Sequence, residues 1–181
     1  MLGLPDMLHQ VRDLRGEAVV ANDGEAGSLE DVVFENRRWV VRFFVVHTGG
    51  WLQGRLGGRR VLVSPAMLAA DAPGRSVRVS MTRDELEHAP RQETAAPELC
   101  HAADLIGFDL ESPDGAVGRV SDFLVDDQSW AIADVVVETS KEARSVLVPP
   151  SAVEGIDEAA RKVRIRLSRD DLVNLSLHRR L

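Results

Sequence analysis

The chain repeats itself, and no other feature limits its fold as much. Displaced by 91 residues, Asp13-Leu14 falls on Asp104-Leu105, Gly16 on Gly107, Asp23-Gly24 on Asp114-Gly115, Gly27 on Gly118 and Asp31 on Asp122. Trp39 then falls on Trp130, Val45-Val46 on Val136-Val137 and Thr48 on Thr139, all without a gap. The matched types are mainly Gly, Asp-Gly and Trp, which set backbone geometry more than they fill space. Past Thr48 the offset shortens. Val61-Leu62-Val63 matches Val146-Leu147-Val148 at a spacing of 85, so the first copy carries six extra residues between Gly49 and Arg60. The closing segments, 77–81 and 163–167, match at 86. Copies are expected at 8–89 and 104–181, joined by a linker at 90–103 that holds Pro90, Ala95-Ala96 and Pro97.

Within each copy the signals come in one order. A short strand (Glu17 to Val20; Phe108 to Glu111) runs into an Asp-Gly turn, where glycine reaches positive φ without steric cost. Gly27 and Gly118 open the next strand, and glycine inside a strand marks a bulge or bend. Hairpins follow: Ser28 to Glu35 with Trp39 to Val46, and Arg119 to Val125 with Trp130 to Val137. Two shorter strands come next, then a capped helix start at Thr82-Arg-Asp-Glu85 and at Ser168-Arg-Asp-Asp171, the second with Asp where Glu or Gln is preferred. The expected fold is mainly β: two small, partly closed antiparallel barrels, each ending in a short helix. Strict alternation puts Trp39, Val41, Phe43 and Val45 on one face and Val40, Phe44 and Val46 on the other, with Arg42 the one interruption. A lone barrel needs one apolar face, so the second requires a cover from the sister copy, the terminal helices or another chain.

Composition narrows function. The net charge is −7. Residues 13–90 hold 10 basic and 11 acidic side chains, whereas 104–181 hold 10 and 15, so the acidity sits in the second copy. An acidic chain lowers the expectation of nucleic-acid binding, which a basic surface drives. Cys100 is the only cysteine, which excludes an intrachain disulfide and a Cys-rich zinc site and fits a reducing cytoplasm. The opening residues show no basic n-region or apolar h-region, and the longest apolar run, Ala66 to Ala70, is far below the ~20 residues of a membrane span.

The pattern Gly16, Asp23-Gly24, Gly27, Asp31, Trp39, followed by Thr48-Gly-Gly-Trp51-Leu52, Gly54-Arg55 and Arg60-Val-Leu-Val-Ser-Pro65, resembles the PRC-barrel domain. That family includes the cytoplasmic domain of the photosynthetic reaction-centre H subunit and the C-terminal domain of a ribosome maturation factor. Copy two fits the pattern but replaces the Thr-Gly-x-Trp-Leu loop with Thr139-Ser-Lys-Glu-Ala-Arg144. The resemblance implies an adaptor that docks on other macromolecules rather than an enzyme.

The candidate interaction site is the first-copy loop Thr48 to Arg60, which gathers Trp51, Arg55, Arg59 and Arg60 among glycines. An aromatic beside arginines suits an acidic protein or RNA. The competing reading is that Trp51 caps the barrel while the arginines are solvated or pair with local carboxylates. Asp122, Asp126, Asp127 and Asp134 could be taken for a cation site, but alternation should point strand neighbours apart, and solvated turn and strand acids are expected instead, with Asp31 and Asp122 serving the fold by tying backbone donors near the bend. The five histidines lack metal-ligand spacing, and no nucleophile elbow, P-loop or Rossmann fingerprint is present. The expectation is therefore a cytoplasmic, non-catalytic module without metal or cofactor. Its partner is another protein, with a homodimer admitted and RNA as the second candidate.

Overall fold

The computed structural model describes residues 8–49, 58–69, 76–91, 96, 98–139 and 145–178. Its elements run β1 (Leu8–Gln10), α1 (Val11–Leu14), β2 (Ala18–Ala21), β3 (Gly24–Glu35), β4 (Val40–Thr48), β5 (Arg59–Val63), β6 (Ser76–Arg78) and α2 (Arg83–Glu87). The chain continues with β7 (Leu99–His101), α3 (Ala102–Leu105), β8 (Asp109–Ser112), β9 (Gly115–Asp126), β10 (Ile132–Thr139), β11 (Ser145–Val148), β12 (Val153–Asp157), β13 (Lys162–Ile165) and α4 (Arg169–His178).

These elements form two compact units, each built on one curled, partly closed sheet. Residues 11–101 make one, with strand order β5-β4-β3-β2-β6. The other takes residues 8–10 together with those from 102 onward, with order β11-β10-β9-β8-β13-β12. Curling comes from bulges, and these repeat as faithfully as the sequence. Ladder registers skip Ala26, Glu30 and Arg42 in the first copy. They skip Val117, Ser121 and Ala133, each 91 residues later, in the second. Each bulge adds local twist and bends its strand, which is what a small barrel needs. All ladders are antiparallel except one per unit, β2·β6 and β8·β13, which are parallel. Near the far end of each sheet the same contact recurs in two grades. An isolated bridge, Leu68↔Val79, in the first unit becomes the full β12·β13 pair in the second.

The repeated residues have identifiable tasks. A Cβ on Gly27 would lie 2.1 Å from the His47 carbonyl oxygen, and one on Gly118 2.1 Å from that of Glu138, so only glycine admits the neighbouring strand. The turn aspartates reach across to the helix starts: Asp23 Oδ1 accepts from Arg83 N–H at 2.8 Å, and Asp114 Oδ2 from Arg169 N–H at 2.9 Å. Both caps form as reciprocal boxes. Glu85 accepts from Thr82 N–H at 2.7 Å, and the shorter Asp171 still accepts from Ser168 N–H at 3.1 Å.

Three expectations change. Trp39 and Trp130 do not begin strands; both sit in the hairpin turn with φ of 56° and 55°, and their N–H groups donate to Glu35 and Asp126 carbonyls. The bulge at Arg42 breaks strict alternation, because Val41 faces Phe34 and Phe43 faces Val33 as adjacent rungs. Even so, Phe44, Val45 and Val46 are all buried, as are Val135, Val136 and Val137, so both faces of β4 and β10 are covered within the chain. Within 90–103, expected as a linker, described residues carry structure: Pro90 O accepts from Leu62 N–H, Arg91 bridges Val61, and β7 pairs with β3. A three-residue strand is too short to show periodicity, and only the pairing reveals it.

Candidate functional site

The proposed interaction loop is known in the structure by its base. Trp51 and Arg55 lie outside the described residues. Arg59 and Arg60 are exposed on β5, opposite Thr48 and His47 of β4. Glycines close the base: a Cβ on Gly49 would lie 2.6 Å from Gly58 Cα, and one on Gly58 would lie 2.2 Å from His47 Cε1. Arg60 Nε donates to Glu30 Oε2 at 2.5 Å, with 62% and 32% of the two side chains exposed. A pair so wetted contributes little stability. Arg59 makes no ion pair among the described residues and keeps its charge available.

A second cationic group escaped the sequence reading. The turn Asn36 to Trp39 exposes Arg37 and Arg38, and bulged Arg42 projects beside them. Glu35 lies among the three: Arg42 donates to it, and Arg38 sits 3.8 Å away. The Arg42 hydrogen bond holds the Glu35 carboxyl below its ordinary range. Glu35 and exposed Glu98, whose carbonyl accepts from Asn36 N–H, stand against three guanidiniums, so the tip keeps a net positive charge. The signal was present as Arg37-Arg38 in a turn, but the bulge that adds Arg42 is invisible in the sequence. Arg42 and His47 are five positions apart on β4, about 17 Å at about 3.4 Å per residue, so the tip and the loop base are distinct groups.

The matching tip of the second copy has the opposite sign. Asp126 Oδ1 accepts from Ser129 N–H at 2.8 Å and Gln128 N–H at 2.9 Å, and these backbone donors lower its pKa. Asp127 Oδ2 lies 3.0 Å from His9 Nε2. Asp134 corrects the expectation of a solvated acid, and Asp122 and Asp134 share one face of the sheet where divergence was expected, while Asp122 ties a backbone donor as expected. The two are 0% and 2% exposed, and the ladder places both on the face that carries Leu124 and Val136. Asp122 Oδ1 accepts from Phe123 N–H at 2.8 Å. Among the described residues no three potential metal ligands converge.

Two histidines tie strands into the sheets. His101 Nδ1 lies 3.1 Å from Asp31 Oδ2, tying β7 to β3, just as His9 ties β1 to the turn after β9. His88 Nδ1 lies 2.7 Å from Asp84 O in the last turn of α2. Cys100 is buried in β7 opposite Phe34.

Residues 7–86 match the family model of the PRC-barrel domain. The chain carries a PRC-barrel domain. Loop base and cationic tip both fall within it. A solved structure of a 16S ribosomal RNA processing protein, RimM, from Pseudomonas aeruginosa aligns at 18% identity, covering 87% of this chain and 98% of that one, with a TM-score of 0.34. No curated protein matches the chain. No helix among the described residues is long and apolar enough to cross a membrane.

Proposed function

We propose that the chain is a non-catalytic protein-interaction module of the cytoplasm, made of two PRC-type copies at 8–89 and 104–181. Its first copy engages an acidic protein surface through Arg59 and its loop and through Arg37 and Arg38. One observation carries this reading. Asp23 and Asp114, and Thr82 and Ser168, are engaged alike in turns and caps in the two copies, whereas exposed Arg37 and Arg38 of the first copy fall on Gln128 and Ser129 of the second. Charged rims of this kind set partner choice and encounter rate more than affinity. Crosslinking with mass spectrometry under native expression should place a partner on residues 37–60. A chain found only as an unaccompanied monomer overturns the reading.

The cationic tip also favours a second reading, an accessory factor in RNA processing or ribosome assembly. Binding of a single-stranded RNA would then weaken steeply with salt and drop on combined Arg37→Ala, Arg38→Ala and Arg59→Ala substitution. No binding at low salt removes it.

A further inference from the structure

Each unit takes one strand from the chain that precedes the other copy. β1 pairs with β9 through Leu8↔Asp126, His9↔Val125 and Gln10↔Leu124. β7 pairs with β3 through Leu99↔Glu35, Cys100↔Phe34 and His101↔Val33. Every residue of the second set is its counterpart in the first displaced by 91, so the exchange is reciprocal and in register. In each unit the borrowed strand shares an edge of the long strand with its neighbour: β2 holds 24–28 of β3, and β7 holds 33–35. No spacer separates β1 from α1 or β7 from α3.

The tethers differ. β7 is joined on its N-terminal side to the unit it completes, through the stretch after Arg91, which itself bridges Val61. β1 completes the second unit, yet it passes directly into α1 of the first. We infer that β1 is a latch, through which the edge of β9 stays closed only while the first unit is folded. Three residues are far too few to hold a ladder once their anchor is lost, because the ordering entropy exceeds what so short a pairing returns. Anything that opens the PRC-barrel unit therefore bares the 124–126 edge of the second copy, and the state of one unit is transmitted to the other.

Hydrogen exchange on the full chain tests this. Leu29→Ala hollows the first unit at a residue 1% exposed. Amides of the β1·β9 ladder should then exchange at least about tenfold faster, in step with those of β3, while amides of β12·β13 change less. Unchanged β1·β9 amides overturn the latch, as does a change there that merely equals the change at β12·β13. The unsubstituted protein in mild urea gives a test that needs no variant. There, β1·β9 amides exchanging more slowly than the global opening of the first unit would overturn the latch.

Discussion

The two copies bend alike and differ in what they offer to solvent. Their bulges, positive-φ tryptophans, close-approach glycines and aspartate-to-helix ties superimpose at the level of residue numbers. Their hairpin tips carry opposite charge, and only the first has the extended, glycine-bounded loop. After duplication, then, positions that close the sheet stayed fixed and positions at its rim diverged. The cores show a milder form of the same rule. The first copy has Val32 and Phe34 where the second has Phe123 and Val125, so one phenyl ring has moved two residues along the strand. Phe34 and Phe123 are both buried, and total volume is kept, which is what packed interiors tolerate best.

Core truncation gives the largest test of this parallel. Phe34→Ala and Phe123→Ala should each cost about 3–5 kcal/mol by urea unfolding. Phe34 stacks on Trp39 at 5.2 Å, so Phe34→Ala should cost about 1 kcal/mol less in a Trp39→Leu background than in the unsubstituted chain. Equal losses in the two backgrounds would mean that the stack adds nothing.

Gly27→Ala and Gly118→Ala come next. Both force a methyl group onto a carbonyl oxygen, and each should cost about 1–3 kcal/mol. A much smaller loss in one copy would show that its strand pair can separate there, breaking the equivalence. Cap removal is smaller still: Thr82→Ala and Ser168→Ala should each cost about 1 kcal/mol, visible as a lowered Tm.

The smallest effect separates the tips by mechanism. Glu35 and Asp126 occupy equivalent positions, and both carboxyls are held below their ordinary pKa in the folded chain. A carboxyl so lowered contributes stability that is complete above its unfolded pKa and disappears as pH falls through the folded value. Glu35 depends on a guanidinium, so its contribution should shrink on raising salt from about 0.1 to 1 M. Asp126 depends on two backbone N–H groups and should be nearly indifferent to salt. Melting Glu35→Gln and Asp126→Asn against pH at both salts reads the difference. Equal salt sensitivity would refute the distinction.

The sequence by itself determined the duplication, the hairpins, the Asp-Gly turns and the capped helix starts, because each follows from a residue and its near neighbours. Gly27 and Gly118 announce a close approach, and Thr82 and Ser168 a helix start, before any partner is known. Only the tertiary structure decided the rest. Bulges at Arg42 and Ala133 depend on register against another strand, and they set which side chains reach the rim. The burial of Asp122 and Asp134 depends on what covers the sheet, which strand periodicity does not report. The exchange of β1 and β7 was hidden for the same reason: three residues carry no periodicity, and their place is set by an edge more than 60 residues away.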